Sequence, residues 1–488
     1  SNEGPDATSY YFQRTHVLGD IVDSQAVYVK APIWSYIDTG YSAFKAANAN
    51  RQGMVYVGAN DGMLHAFNAD NGAEGWAYIP SMLLPNLYKL ADKKYSANHA
   101  YYVNATPKTG DVYIGGAWKT ILVGGLGRGG RGYYALDITN PASPSVLWEF
   151  KASSSSETGY ITDPDLGYTY GTPIITKLAD GTWVVLVTSG YNNVSPGSGK
   201  GILYVLNAQT GAIIKKIDNG MGTSSTGTVA GCSAAPCPSG LSKITAFVES
   251  SRSNNLSLRV YGGDLYGNVW RFDLTQLSAS GGTAYVQLLA TLASDSNGIT
   301  RQPVTTRPEV SYINNRAVVY VGTGAYLGPA DVTTTNAQTI YAIKDPVALN
   351  ATAATLAASS SNTTATYSNP RSNTCTSSAN TNCFIRHKLV DQSGKRKIDA
   401  SASTAVSYDA DFGSMNGWFA DMPQPGERID TDPDLQLGTL AFTSNKPATN
   451  DPCSSGGSSY LNYFDYKTGK PVPGVTNVGV SLSTGSTS

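Results

Sequence analysis

The chain of 488 residues is poor in charged side chains, which make up 14% of it, and it has only four histidines. Long helices need glutamate, lysine, arginine and leucine, so this composition argues against a helical protein. The net charge is −1 and no basic run is longer than Lys395-Arg396-Lys397. Because neutralising several phosphates needs a clustered basic face, we expect no nucleic-acid partner.

Long apolar runs are also missing. No apolar stretch reaches the roughly 20 residues that span a bilayer, so no membrane-spanning segment is expected. No export signal is visible at Ser1, so an exported parent protein is expected to have lost its leader. The chain contains neither G-x-S-x-G nor H-E-x-x-H, and no nucleophile, base and electrophile come together. We therefore predict no catalytic residue, no metal ligand and no cofactor site.

Glycine and tyrosine, by contrast, are abundant, with 51 and 31 residues. Serine, threonine and asparagine fill the spaces between short apolar runs. Many short strands joined by Gly/Asn/Asp turns give such a composition. The sequence therefore predicts an all-β fold.

Five cysteines are present, and four of them lie in two close pairs within polar loops: Cys232 with Cys237, and Cys375 with Cys383. A local disulfide offsets part of the entropic cost of ordering such a loop, so we predict disulfides there. Zinc or free thiols are the alternative, although no histidine is near either pair. Disulfides favour an oxidising compartment. Cys453 is left either free or paired outside the chain.

A strand-turn-strand pattern recurs along the chain. Residues 55–72, VYVGANDGMLHAFNADNG, show it clearly: an apolar strand, a Gly/Asn/Asp turn, an alternating strand and a polar turn closing on glycine. Because a single hairpin is barely stable, such units must bury their faces on one another. Copies lie at 55–72, 121–141, 183–211, 259–274, 317–345 and 438–469.

Units of this kind, arranged radially, make a β-propeller. The closing Asp-x-x-x-Gly turns are typical of quinoprotein-type blades, so we predict a single modified propeller domain over 1–488. Six blades are visible, and we expect a seventh from weaker segments near 20–29 and 404–421. Residues 346–405 are rich in Ala, Ser, Thr and Asn and predict a low-complexity surface insertion. Helical spacing predicts a short helix near Pro80–Lys94.

Three features imitate functional motifs. Gly125–Gly130 matches G-x-G-x-x-G, but an alternating strand follows where a dinucleotide site needs a helix, so a hairpin turn is predicted. His65 lies mid-strand and is predicted to be a packed, hydrogen-bonded residue rather than a catalytic base. Alternating carboxylates are predicted to cap turns rather than to bind calcium. These carboxylates are Asp163, Asp165, Asp430, Asp432 and Asp434.

Several longer phrases resemble the C-terminal domain of the PilY/PilC family of type IV pilus tip-associated adhesins. They include WKTILVGGLGRGGRGYYALDIT at 118–139, DLGYTYGTPIITKLADGTWVVLVTSGYNN at 165–193 and YGGDLYGNVWRFDL at 261–274. The resemblance covers about 12–470 apart from the 346–405 insertion. It implies a modified propeller that is exported to the periplasm and the cell surface, associated with the outer membrane and the pilus tip (fimbrium).

The resemblance also implies function and partners. Family members act in pilus biogenesis with minor pilins at the tip, oppose pilus retraction, and adhere to host-cell or abiotic surfaces. Many carry a nine-residue calcium loop before the segment that matches Tyr261-Gly262-Gly263-Asp264. Here the corresponding positions are Ser250, Arg252, Asn254 and Leu258. Arg252 would place a positive charge where the calcium ion should lie, and Leu258 has no side-chain oxygen to bind it. We therefore expect no calcium at this place.

A quinoprotein dehydrogenase is the alternative function, because Ala69–Trp76 resembles the tryptophan-docking turn of those enzymes. That turn locks blades together and says little about catalysis. The enzymes also need vicinal cysteines against the quinone, and the chain contains no Cys-Cys pair. A non-enzymatic assembly and adhesion module is therefore the favoured prediction.

Overall fold

The computed structural model describes residues 11, 16–224, 229, 231–248, 250, 252–377, 380–399, 412–448 and 457–482. In this part of the chain 29 strands account for nearly all regular structure, which confirms the predicted all-β class. The helices are short. They comprise α1 (Tyr41–Ala47), α2 (Pro329–Val332), α3 (Ala353–Ala358) and 3-10 helices at Ser81–Ala91, Tyr95–Ala97 and Pro370–Asn373.

The first three sheets are meanders in which strands adjacent in the sequence pair with one another. Blade 1 consists of β1 (Val27–Val29), β2 (Met54–Gly58), β3 (Leu64–Asn68) and β4 (Glu74–Tyr78). Blade 2 consists of β5 (Lys108–Ile114), β6 (Ala117–Gly125), β7 (Gly132–Asp137), β8 (Ser145–Lys151) and the short parallel β9 (Ile161–Thr162). Blade 3 consists of β10 (Ile174–Lys177), β11 (Trp183–Thr188), β12 (Ile202–Asn207) and β13 (Ile213–Asp218).

The second half of the chain repeats this order with insertions. Blade 4 consists of β14 (Ile244–Val248), β15 (Ser257–Gly263), β16 (Asn268–Asp273) and β19 (Tyr285–Thr291), with the hairpin β17 (Leu277–Ser278) and β18 (Gly281–Gly282) before β19. Blade 5 begins with β20 (Glu309–Ile313), β21 (Arg316–Gly322) and β22 (Thr339–Lys344). Then come β23 (Phe384–Gln392), β24 (Lys395–Ile398) and β25 (Gly417–Asp421), of which β25 completes blade 5. Blade 6 consists of β26 (Asp434–Gln436), β27 (Thr439–Pro447), β28 (Gly457–Asp465) and β29 (Gly479–Ser481).

Hydrophobic clusters fill the spaces between consecutive blades. Neighbouring residues of one strand point to opposite faces of its sheet. Val184 therefore packs towards blade 4 and Val185 towards blade 2, while Val318 packs towards blade 6 and Val319 towards blade 4. Both faces of these strands are buried, which explains the unbroken apolar runs within β11 and β21.

Tryptophans on the outer strands tie blade 1 to blade 2, blade 2 to blade 3 and blade 5 to blade 6. The indole N–H of Trp76 donates to the carbonyl of Pro141, 2.8 Å away, and that of Trp148 to the carbonyl of Ala208 at 3.0 Å. Trp418 donates to Tyr466 at 3.2 Å. A Cβ on Gly211 would lie 2.7 Å from the Trp148 ring, so the glycine that closes this turn leaves room for the indole. The Ala69–Trp76 turn is thus part of a structural lock, as predicted.

The predicted seventh blade is not confirmed. The described part of the chain forms six blades. Four of them are separate sheets of four or five strands, and the other two are the opposite ends of one ten-stranded sheet. Of the segments expected to build a seventh, Val27–Val29 pairs with β2 in blade 1 and Gly417–Asp421 pairs with β22 in blade 5. Residues 404–411 lie outside the described residues.

The helix predicted near Pro80–Lys94 is a 3-10 helix, Ser81–Ala91. Pro85 lies inside it and has no N–H to donate, so the hydrogen-bond ladder of the helix is interrupted at this position. No helix of the described ranges is long and apolar enough to cross a membrane.

The segment 346–405 contains regular structure. Ser361 and Tyr367 form parallel bridges to Gln287 and Ala290 on β19, so part of the segment runs along the outer edge of blade 4. Its strand β23 pairs first with β25 and then with β24, and β24 pairs with β29. The segment thereby joins the outer edges of blades 5 and 6 into one sheet.

Candidate protein-binding face

The structure pairs the four loop cysteines as the sequence predicted. Cys232 is bonded to Cys237 in the connection between blades 3 and 4, and Cys375 to Cys383 just before β23. The second pair lies in the core between blades 5 and 6. Cys453 is outside the described residues. The bonds restrain loops and bring no reactive group to the surface.

The alternating carboxylates hold neighbouring loops. Lys216 Nζ lies 2.8 Å from Asp163 and 2.6 Å from Asp165, and Asp432 accepts from Lys243 at 2.7 Å. Within the described ranges, no three or more His, Cys, Asp or Glu side chains are grouped so that they could hold a metal ion. Lysines of the chain thus pair with Asp163, Asp165 and Asp432, whereas Asp430 accepts from Asn445 Nδ2 at 2.6 Å.

The loop at the place where the sequence resemblance puts a calcium site uses several of its oxygens for hydrogen bonds within the chain. The carbonyls of Arg252 and Ser253 accept the N–H groups of Ser35 and Ile37 at 2.9 and 3.0 Å. The hydroxyl of Ser253 donates to that of Ser250 at 2.6 Å. The loop oxygens are engaged in docking residues 35–37, whereas calcium takes six to eight oxygen ligands.

The glycine motif at Gly125–Gly130 lies in the hairpin between β6 and β7, as predicted, and it packs tightly against two neighbouring segments. Gly127 N–H donates to the carbonyl of Thr169 at 3.2 Å, and Asn104 N–H donates to that of Leu126, also at 3.2 Å. A Cβ on Gly129 would lie 1.9 Å from the carbonyl oxygen of Tyr102. Glycine is therefore required here for close approach of two backbones.

This hairpin places two arginines over tyrosine rings. The guanidinium carbon of Arg128 lies 4.6 Å from the centre of the Tyr101 ring, and that of Arg131 lies 5.3 Å from the centre of the Tyr168 ring. Arg131 also donates to the carbonyl of Asn192 at 2.8 Å. Such cation–π contacts contribute about 0.5–1 kcal/mol each at exposed positions, and they hold the long side chains in defined positions.

Two further aromatic side chains, His99 and Tyr170, extend the surface, and Tyr170 packs on the buried Tyr191. The His99 ring meets Tyr101 edge-on, with 5.0 Å between the ring centres, and Tyr170 meets Tyr191 in the same way at 5.3 Å. Burial raises the pKa of Tyr170, and the nearby Arg128 offsets part of that rise. We call this surface the tyrosine–arginine face. It consists of His99, Tyr101, Arg128, Arg131, Tyr168 and Tyr170, of which Arg128 and His99 are exposed and the others half-buried.

The segment before β1 supports the face from behind. Asp20 accepts from His99 Nε2 at 3.0 Å and from Asn60 Nδ2 at 2.8 Å. Gly19 N–H donates to Asp61 Oδ2 at 2.7 Å. On the other side of Asp61 lies His65, whose ring nitrogens are 3.1 Å from Asp61 and 2.6 Å from Glu74. The predicted packed, hydrogen-bonded His65 thus has two carboxylates for partners.

We expect the His65→Gln variant to lose more stability at low pH than at high pH. Burial alone would lower the pKa of His65, but the hydrogen bonds to Asp61 and Glu74 outweigh burial and raise it. When the pKa of a histidine is higher in the folded than in the unfolded state, its protonation stabilises the fold. This stabilisation is complete below the unfolded-state pKa of about 6.5 and disappears as the pH rises through the folded-state pKa. The variant should therefore cost about 1–2 kcal/mol at pH 5.5 and less at pH 9, in urea unfolding curves.

His387→Gln is the matched control for this experiment. Burial lowers the pKa of His387 to about 4, so below pH 6.5 the unfolded parent gains protons that the native state does not bind. Removing this histidine should therefore cost less at pH 5.5 than at pH 9, the opposite trend. An equal cost of His65→Gln at both values would refute a charged His65.

The chemistry of the face suits protein binding. Tyrosine and arginine are the residues enriched at the energetic centres of protein interfaces, since both offer a large apolar surface with polar ends. Ordering these side chains before a partner arrives also lowers the entropic cost of binding. The sequence did not predict this face. Its one sign in the sequence is a pair of arginines between glycines in a hairpin loop. The tyrosines that contact these arginines lie in other segments, and no regular spacing in the sequence relates those segments to the hairpin.

Comparisons with known proteins agree with the fold. A family model described as the PilY1 beta-propeller domain matches residues 18–380. The type IV pilus biogenesis factor PilY1 of Pseudomonas aeruginosa strain UCBPP-PA14 is 32% identical over 498 residues, which cover 94% of the chain and 40% of the relative. A PilY1 homolog of Xylella fastidiosa strain Temecula1 is 32% identical over 460 residues, covering 90% of the chain and 28% of the relative.

A solved structure is similar over nearly the whole length. The crystal structure of the Pseudomonas aeruginosa PilY1 C-terminal domain aligns with a TM-score of 0.65 and 25% identity, covering 93% of both chains. The β-propeller fold predicted from the repeat is thereby confirmed. The chain spans less than half the length of the curated relatives it matches.

Proposed function

Because the chain belongs to the PilY1 family, we propose that it acts in type IV pilus biogenesis as a binding module and not as an enzyme. The resemblance predicted from its sequence phrases is confirmed at the level of the family. The proposed partner is a minor pilin at the pilus tip, and the proposed location is the periplasm and the cell surface. Holding that tip complex together would oppose pilus retraction.

The observation that carries this proposal is the tyrosine–arginine face. Arg128 and Tyr101 are ordered against one another at 4.6 Å on a hairpin whose backbone is anchored to residues 102–105 and 169. A rigid hairpin with an exposed arginine offers a partner a prepared contact. The family resemblance supplies the class of partner, since its members work with minor pilins.

The proposed binding is independent of calcium. The loop at 250–258 has Arg252 and Leu258 at ligand positions, and its carbonyls accept hydrogen bonds from residues 35–37. A dehydrogenase is not favoured either, because the tryptophan-docking turn that suggested it is bonded to the next blade through Trp76. Adhesion to host-cell or abiotic surfaces is the second proposed role and would involve the same propeller.

The test is the affinity of the chain for the periplasmic domains of the minor pilins, measured by biolayer interferometry. We expect saturable binding that a calcium chelator does not change. The variants Tyr101→Ala and Arg128→Ala should each weaken it about tenfold or more, the effect of losing a residue at the energetic centre of an interface. Arg128 is exposed and Tyr101 half-buried, so the unfolding temperature should barely move in Arg128→Ala and fall only slightly in Tyr101→Ala.

The matched control is a second tyrosine and arginine on a hairpin, of which the tyrosine is exposed and the arginine half-buried. Tyr312 is 52% exposed on β20, and Arg316 begins β21; their alanine variants should bind like the parent. Equal weakening by the control variants would mean that this face is not the contact. Loss of binding with chelator would contradict calcium independence, and the absence of binding to any minor pilin would overturn the proposed partner.

A further inference from the structure

Four aliphatic side chains are exposed on the segment that precedes β1. Single exposed apolar residues are ordinary on a protein surface. Four of them within six residues form a patch, and an exposed apolar patch rimmed by polar groups marks an interaction site. We call this patch the aliphatic strip. It consists of Val17, Leu18, Ile21 and Val22, whose exposed fractions range from 43% for Ile21 to 83% for Val17.

Polar groups of the same segment hold it in place on blade 1. Gly19 N–H donates to Asp61 Oδ2 at 2.7 Å, and Ser24 Oγ accepts the N–H of Gly58 at 2.9 Å. A Cβ on Gly19 would lie 2.4 Å from the Asp61 nitrogen, so the two backbones pack directly on one another. The segment thus turns polar groups towards the blade and aliphatic side chains towards solvent. Burial of apolar surface within the chain favours the opposite arrangement, so the strip is placed for a partner.

The strip borders the tyrosine–arginine face. Its middle lies between two anchored aspartates. Asp20 accepts from His99 Nε2 of that face at 3.0 Å, and Asp23 accepts from Asn104 Nδ2. The backbone N–H of Asn104 donates in turn to the carbonyl of Leu126, in the hairpin that presents the arginines, at 3.2 Å. Strip and face are therefore parts of one continuous surface.

The charge on this surface decides which partner fits it. Arg128 is exposed, and its guanidinium lies against the neutral ring of Tyr101. The carboxylates of the neighbouring segment have other partners, Asp20 with His99 and Asp23 with Asn104. An exposed guanidinium without a carboxylate, next to an apolar strip, is complementary to an acidic residue flanked by aliphatic side chains.

We propose that the aliphatic strip and Arg128 together dock a segment of the minor pilin in which aliphatic side chains flank an acidic residue. This inference rests on the proposed function, because it describes the chemistry of the partner named there. The aliphatic side chains of the pilin cover the strip, and its carboxylate pairs with Arg128. Burial of apolar surface contributes affinity, while the ion pair fixes the position of the segment.

The test is the affinity of the double variant Ile21→Ser/Val22→Ser for the minor pilin, measured by biolayer interferometry at about 50 mM and about 500 mM NaCl. We expect binding about tenfold weaker than that of the parent at both concentrations, since salt does not screen the loss of apolar contact. Arg128→Ala should weaken binding strongly at the low concentration and much less at the high one, because salt screens an exposed ion pair.

The matched control is Val146→Ser/Ile299→Ser, which replaces the same two residue types at exposed positions elsewhere on the propeller. It should bind the pilin like the parent. Both double variants change exposed side chains, so their unfolding temperatures should agree. A strip variant that melts clearly lower than the control variant would show that the strip packs within the chain, which would overturn the inference.

A dye measures the strip without any pilin. The probe is 1-anilinonaphthalene-8-sulfonate, whose aromatic rings suit the strip and whose sulfonate suits Arg128. The fluorescence gained by the dye on the parent should fall about twofold in the strip variant and stay unchanged in the control variant. Equal dye binding by parent and strip variant would overturn the assignment of the strip as an apolar docking site.

Failure of this inference differs from failure of the proposed function. If Arg128→Ala weakens pilin binding and the strip variant does not, the strip is outside the contact and the proposed function stands. If no minor pilin binds the parent at either salt concentration, the proposed partner is overturned, and the docked pilin segment with it.

Discussion

Replacing Asp345 by alanine should lower the free energy of unfolding by about 3–5 kcal/mol. Its carboxylate joins blade 5 to blade 4. Oδ1 lies 2.9 Å from Arg271 Nη1, and Oδ2 lies 3.2 Å from Arg259 Nη1 and accepts the hydroxyl of Tyr261 at 2.7 Å. Asp345 and both arginines are fully buried. The variant would leave Arg271 without its carboxylate and Arg259 with only Asp273.

Unfolding in urea, followed by tryptophan fluorescence, measures this loss. The matched control is Asp218→Ala, which breaks the exposed ion pair with Lys200, whose closest atoms are 2.7 Å apart. Exposed pairs contribute about 0–1 kcal/mol, because water screens both charges. If Asp345→Ala cost no more than Asp218→Ala, the buried network would not stabilise the contact between blades 4 and 5.

The Gly129→Ala variant should abolish or severely weaken partner binding, by more than either surface substitution in the face. The new Cβ would stand 1.9 Å from the Tyr102 oxygen and 2.4 Å from its carbonyl carbon. Both are backbone atoms, so the hairpin has to shift by more than about 1 Å. That shift would separate Arg128 from Tyr101, and crowding of this kind costs about 1–3 kcal/mol of stability.

Biolayer interferometry and a thermal melt on the same sample distinguish the two effects. Gly328→Ala is the control, since it lies in the extended region, with a φ of −160°, and no atom is within 4 Å of its Cβ position. It should bind and melt like the parent. A Gly129→Ala protein that melts lower but binds the minor pilin normally would place the contact elsewhere on the propeller.

Much of the architecture was readable from local pattern. Each blade has the strand-turn-strand order seen first at 55–72, and both faces of strands such as β11 and β21 are buried, which requires apolar residues without alternation. The cysteine pairs are five and eight residues apart, so loop entropy alone suggested the partners. The glycine motif was readable as a turn because a strand follows it.

The blade count could not be read in the same way. The fourth strand of blade 5, β25, is separated from β22 by more than 70 residues that also contain β23 and β24. A short strand after such an excursion looks like the start of a new unit. Its assignment depends on its pairing with β22, Thr339 opposite Asp421, which is a long-range property.

Residues close together in the chain therefore specified the class of fold, the hairpins and the local cysteine pairs, because strand alternation, turn chemistry and loop entropy act over a few residues. The tertiary structure alone decided which distant polar groups meet. Arg259 and Asp345 are 86 residues apart in the sequence, and Arg128 and Tyr101 are 27 apart. Charged and aromatic side chains carry no information about their partners until the packing of sheets brings them within a few ångströms.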